Sequence, residues 1–117
     1  MESQAKKLLL DALEAGRSIQ KRCAGRTVAE YEGDRWFRRT VEREFEIIAE
    51  ALNRLSQFDP GVAAGISELP RIVSFRNRII HGYDTVDDAI VWGVVEGRLP
   101  RLLEQSENIL GERGESP

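Results

Sequence analysis

The chain has one cysteine and one histidine among its 117 residues, and that scarcity removes several classes of protein at once. Cys23 has no second thiol with which to form an intramolecular disulfide. One thiol and one imidazole are also too few for an all-protein zinc site in one chain. Long apolar runs are lacking: none approaches the roughly 20 residues that a bilayer-spanning helix needs. No stretch alternates strictly between apolar and polar residues, so nothing reads as a half-buried strand. No internal repeat or low-complexity block is present. Positive charge is not in excess either, since 17 Lys and Arg against 20 Asp and Glu leave a net charge of -3. A general attraction to polyanions is thereby excluded, and any contact with nucleic acid has to come from a local cluster of arginines. The segment Met1 to Lys7 lacks the apolar core and small-residue cleavage site of a secretory signal. A cytoplasmic protein without membrane contact is the expectation, and the lone cysteine agrees with a reducing compartment.

What remains is helix. With 41% hydrophobic residues in a chain of this length, one core and a single domain over residues 1–117 are expected. From Ser3 to about Arg22, Ala5, Leu8, Leu9, Ala12, Ile19 and Cys23 recur at helical spacing. Gly25 marks a stop, and Thr27-Val28-Ala29-Glu30 has the spacing of a capping box that opens a short second helix, interrupted at Gly33. The strongest period follows Asp34: Phe37, Val41, Phe45, Ile48, Leu52 and Leu55 form the stripe of a central helix. Its other faces pair like charges at i,i+4, Arg39 with Arg43 and Glu46 with Glu50, at a cost of a few tenths of a kcal/mol each unless partners intervene.

Asp59-Pro60-Gly61 reads as a turn, and Leu69-Pro70 as the entry to a further helix containing Ile72, Val73, Arg76, Ile79 and Ile80. Gly82 suits the left-handed position after a helix end. Thr85-Val86-Asp87-Asp88 offers a cap for a last helix, which Pro100 should kink or restart before Leu102, Leu103, Ile109 and Leu110. The segment from Gly111 to Pro117 should fray. The fold class is all-α, a four-to-five-helix up-and-down bundle.

One short stretch concentrates the reactive side chains. Arg76-Asn77-Arg78-Ile79-Ile80-His81-Gly82-Tyr83 carries two guanidiniums, an amide, the only imidazole and a phenol within about two turns. Asn77 and His81 share a helix face at i,i+4. Near neutrality an imidazole gives and takes a proton, and a helix C-terminus favours its charged form. A guanidinium matches phosphate oxygens and stabilises the added charge of a pentavalent phosphorus transition state. Together they suffice for RNA cleavage by attack of a 2′-hydroxyl on its own phosphate, with no metal or cofactor required. The same residues also suit an ordinary helix end, with a capping histidine, surface ion-pairing arginines and a tyrosine plugging the core. Spacing alone leaves both open.

The stretch resembles the Arg-x-x-x-x-His-x-Tyr signature of the HEPN superfamily, specifically the HepT-like toxin family. Arg43-Glu44-Phe45-Glu46-Ile47-Ile48-Ala49-Glu50-Ala51 is similar to that family's Arg-Asn-Leu-Glu-Ile-Ile-Gly-Glu-Ala segment, with Ala49 in place of glycine and Glu44 in place of asparagine. Residues Asp87 to Leu103, with Val91-Trp92 and Leu99-Pro100, resemble its last helix. The resemblance implies a HEPN-like helical ribonuclease toxin that acts on RNA as a homodimer, the motifs of two subunits facing one cleft. By position, Arg76 and His81 match the catalytic pair, Asn77 and Arg78 stand in support, and Tyr83 matches a tyrosine that a minimal nucleotidyltransferase antitoxin modifies by adenylylation. Added phosphate at Tyr83 would compete with RNA for the same cations. The alternative is a non-catalytic helical dimer that binds a nucleotidyltransferase partner or a nucleotide. Glu44 and Glu50 either orient His81 or solvate the bundle.

Overall fold

The computed structural model of the chain describes residues 1–81 and 87–113, with only the backbone described at 79–81, 112 and 113. Among the described residues there are seven helical segments and no strand: α1 (Ser3–Cys23), α2 (Val28–Gly33), α3 (Arg35–Phe58), α4 (Pro60–Ala63), α5 (Leu69–His81), α6 (Asp88–Gly97) and α7 (Leu99–Arg113). The all-α expectation holds.

Local chemistry sets most of the boundaries. The α1 helix stops where Gly25 takes a positive φ of 73°, a conformation open to a residue without Cβ. The capping box then forms as expected: the Glu30 amide donates to Thr27 Oγ1 at 3.2 Å, and the Thr27 amide donates to Glu30 Oε1 at 3.0 Å. Asp34 caps α3 by accepting from the Phe37 amide at 3.1 Å. The Asp59-Pro60-Gly61 turn is more than a turn. Asp59 Oδ1 accepts from the Val62 amide at 3.1 Å and Pro60 takes the first helical position, so one turn of helix, α4, nucleates there. Asp87 caps α6 by accepting from the Ala89 amide at 2.8 Å.

Between Gly97 and Leu99 the helix ends and restarts, with Pro100 in the first turn of α7, where its missing N–H costs nothing. At the other end, α7 continues through Gly111 to Arg113, further than the frayed segment expected from Gly111 onward. Residues 114–117 lie outside the described residues.

The α3 stripe lies at the centre. Phe37, Val41, Phe45, Ile48, Leu52 and Leu55 are all buried, and α1 packs along α3 over the greatest length. The α7 helix approaches α1 so closely at Gly16 that an added Cβ would lie 2.4 Å from Leu103 Cδ2. At one end, Tyr31, Phe37 and Trp92 form an aromatic cluster with ring centroids 5.2 to 6.0 Å apart, tying α2 and α6 to α3. The feature that places the site is the edge-to-face pair of Phe45 and Phe75, 5.2 Å apart at 88°. It pins α5 against α3 one residue before Arg76. Phe75 was not among the core positions read from the α5 pattern.

The like-charge rows on α3 are relieved by neighbours. Arg39 pairs with Glu42 at 3.5 Å, Arg43 with Glu46 at 3.3 Å, and Arg54 with Glu50 at 3.9 Å. These are the intervening partners that the i,i+4 cost required.

Candidate active site

Arg76 emerges from α5 into a groove of about 540 Å³ bounded by α1, α3 and α5. Leu8, Ala15, Ile47 and Ala51 supply its apolar surface. Its charged lining is Asp11 and Glu14 from α1, Arg43, Glu44, Glu46, Glu50 and Arg54 from α3, and Arg76 itself. Five carboxylates thus face three guanidiniums. Arg76 Nη2 lies 3.6 Å from Glu50 Oε2, the Arg76 side chain being 31% exposed and Glu50 52%. That distance makes an ion pair rather than a hydrogen bond. The inner nitrogen, Arg76 Nε, is buried with no hydrogen-bond partner among the described residues. The guanidinium is therefore held at the groove wall with its outer nitrogens toward Glu50.

This pairing answers in part what Glu44 and Glu50 of the central helix do. Glu50 bridges two arginines, Arg76 at 3.6 Å and Arg54 at 3.9 Å, while Glu44 lines the same groove. The partnership of Glu50 with Arg76 joins two helices, so no spacing rule could have revealed it. Ala49 is fully buried in the core of the single chain. Its methyl is packed within one subunit, not on an outer face where a dimer contact would form.

Of the other motif residues, the side chains of Asn77 and Arg78 are described, and they part from Arg76 to different degrees. Asn77 is exposed beside it. Arg78 points to the opposite side of α5, where it lines a second groove with Arg71, Arg98 and Ile90. His81 is the last residue of α5; the five-residue spacing sets position 81 about 140° round an ideal helix from position 76. Gly82 and Tyr83 lie outside the described residues. Among the described residues no group of three or more His, Cys, Asp or Glu could hold a metal ion, and no helix is long and apolar enough to cross a membrane.

The Tyr31 phenol and the Glu42 carboxyl, both perturbed, lie away from the groove, near the aromatic cluster. Burial pushes the Tyr31 phenol well up, and the Glu42 and Asp88 carboxylates add to the shift. Burial also raises the Glu42 carboxyl, against the opposing pull of Arg39. Both are accounted for by the packing of α2 on α3 and α6 and need no chemical role.

The structure is thus an all-helical bundle with an arginine held in a polar groove and a histidine five residues further along the same helix. The family itself follows from sequence comparison: ribonuclease HepT-like matches residues 12–109, and the chain belongs to that HepT-like family. No curated protein and no solved structure matches the chain. At the level of the family this is a ribonuclease toxin of a toxin–antitoxin pair, with RNA as substrate.

Proposed function

We propose that the chain is a cytoplasmic endoribonuclease toxin, one HepT-like domain acting as a homodimer, in which Arg76 and His81 cleave RNA without a metal ion. The observation that carries this reading is Arg76, about a third exposed and held at a groove wall by Glu50, on the helix that bears the single imidazole. In the reaction, an imidazole takes the proton of a 2′-hydroxyl as its oxygen attacks the adjacent phosphorus. The bond from phosphorus to the 5′ oxygen breaks, and that oxygen receives a proton in turn. The products are a 2′,3′-cyclic phosphate and a 5′-hydroxyl. Arg76 binds the phosphoryl oxygens as charge accumulates on them.

A second copy facing the same cleft would bring a second imidazole, so that one could act as base and the other as acid. The outer side of α3 suits such a dimer. Trp36 is 81% exposed and Phe58 48%, and with Ile47 they fall on one strip of the helix, spaced by 11 residues. Asn77, exposed beside Arg76, supports the phosphate, while Arg78, on the opposite side of α5, supports the strand that leads to it. Tyr83 is the handle for a minimal nucleotidyltransferase antitoxin, whose adenylyl group would set a phosphate among these cations.

The test is incubation of the purified chain with single-stranded RNA in chelator, with 2′,3′-cyclic phosphate ends as the diagnostic product. His81→Ala and Arg76→Ala should each abolish cleavage while leaving the helical circular dichroism unchanged; full cleavage by the His81 variant removes that residue from the reaction. The carboxylate excess of the Arg76 groove, which repels phosphate, favours a second reading, a non-catalytic helical dimer that binds a nucleotidyltransferase partner. That reading predicts equal bacterial growth on expression of the chain and of its Arg76→Ala variant. The toxin reading predicts arrest by the first alone.

A further inference from the structure

The second groove, about 390 Å³ between α5 and α6 and bounded by Arg98 just past the end of α6, has the opposite electrostatic character from the first. Its rim holds Arg71, Arg78 and Arg98, its floor Ile72, Phe75 and Val94. Its lining includes no carboxylate among the described residues, and the adjacent Glu68, 7% exposed, pairs with Arg98 Nη1 at 3.2 Å and Arg71 Nη1 at 3.7 Å. One carboxylate thus orients two guanidiniums and neutralises one of three, leaving two positive charges in excess. Each guanidinium has five N–H donors, so those not turned to Glu68 remain to face the groove. Ser74 adds a hydroxyl on the same wall. In a chain of net charge -3, this concentration of fixed cations is not a sample of the average surface.

Its position on α5 matters as much as its charge. Arg71, Ser74 and Arg78 follow one another at i, i+3 and i+7, a single strip of the helix. Position 81 continues that strip, seven residues and about 20° round from Ser74, whereas position 76 lies about 160° away. A polyanion reaching residue 81 therefore meets five carboxylates on the α1 and α3 side and an arginine-lined groove on the α5 and α6 side. Exposed Ile90 at the rim adds an apolar contact of the kind a ribose or base edge can cover. Among the described residues no exposed aromatic lines the groove, and its arginines suit backbone phosphates more than base readout.

We infer that the groove of Arg71, Arg78 and Arg98 is a track for the phosphate backbone of the RNA, holding the strand beside the scissile phosphate. This rests on the ribonuclease reading and adds a binding determinant outside the Arg76 and His81 pair. Its role is positioning, independent of sequence, and its energy is electrostatic and salt-dependent.

The test uses the full chain carrying His81→Ala, so that RNA is bound but not cut, and a fluorescein-labelled single-stranded RNA as probe. Arg71→Glu and Arg78→Glu, at exposed positions that do not strip Glu68 of Arg98, should each weaken binding by about tenfold or more. Each should also make the slope of log affinity against log salt shallower by about 0.7, the loss of one single-strand phosphate contact. Arg71→Lys and Arg78→Lys should keep the slope. In the active chain, Arg71→Glu should raise KM by a larger factor than it lowers kcat. Unchanged affinity and salt slope in both charge-reversal variants overturn the track, leaving an acidic protein partner as the better occupant, while normal cleavage of RNA would preserve the ribonuclease reading. Absence of both binding and cleavage in the unaltered chain overturns both.

Discussion

Adding one methyl group at Gly16 and at Gly93 should move stability in opposite directions, although both are glycines inside helices. In an ideal helix, Gly→Ala is favourable by about 0.5–1 kcal/mol because it restricts the unfolded chain. At Gly93, exposed on α6, a Cβ would meet nothing within 4 Å, so the full gain should appear. At Gly16 the same Cβ would lie 2.4 Å from Leu103 Cδ2 and 3.4 Å from Leu99 Cδ1. Leu103 is buried in the core and cannot swing into solvent. Overpacking of this kind costs about 1–3 kcal/mol. The net for Gly16→Ala is therefore destabilisation of up to about 2 kcal/mol, and the two variants should differ by about 1–3 kcal/mol.

Urea unfolding followed by far-ultraviolet circular dichroism resolves such a difference. A second step isolates the cause. Leu103→Ala alone should cost about 2–5 kcal/mol, but less in the Gly16→Ala background, because the new methyl enters the vacated space. If Gly16→Ala stabilises as Gly93→Ala does, or if the two substitutions simply add, α7 does not rest on α1 at this point.

Three further outcomes follow from the site and the aromatic cluster. Glu42 is 18% exposed at its side chain and its carboxyl is raised by burial, with Arg39 opposing. A carboxyl raised on folding destabilises the fold where it is ionised, so Glu42→Gln should raise Tm at neutral pH. That advantage should vanish below the unfolded carboxyl's range; an advantage that grows with acid would refute the sign. Tyr31 is fully buried and its hydroxyl has no hydrogen-bond partner among the described residues. Tyr31→Phe should therefore leave stability unchanged or raise it by about 1 kcal/mol, as read by urea unfolding; a loss of more than about 2 kcal/mol would show that the hydroxyl is satisfied. Glu50→Gln should change stability by less than about 1 kcal/mol, because its pair with Arg76 is partly solvated, yet should lower kcat for RNA, as Arg76 loses its ion-pair partner. Unchanged kcat would reduce Glu50 to a groove wall.

Much of the helix layout was legible because the signals that set it act over a few residues. The capping box at Thr27, the stripe from Phe37 to Leu55 and the helix entry at Leu69-Pro70 each require only neighbours in the chain. The reading fell short where a weak local signal was completed by packing. Asp59 and Pro60 start a full turn of helix, and Phe75 is drawn inward by Phe45 across 5.2 Å. The candidate site was legible as a list of residue types but not as an arrangement. Written in a row, Arg76, Asn77 and Arg78 look like one cluster, whereas the helix turns Arg76 and Arg78 into separate grooves.

By itself, then, the sequence determined the helices, the central stripe and the presence of an arginine, a histidine and a tyrosine near one helix end, because periodicity and caps are local. Only the tertiary structure decided which charges meet. The contact of Arg76 with Glu50, the reach of buried Glu68 to Arg98, and the close approach of Leu103 to Gly16 all join segments far apart in the chain. Such contacts depend on how helices cross and on what burial does to charge and volume, and no spacing along one helix contains that information.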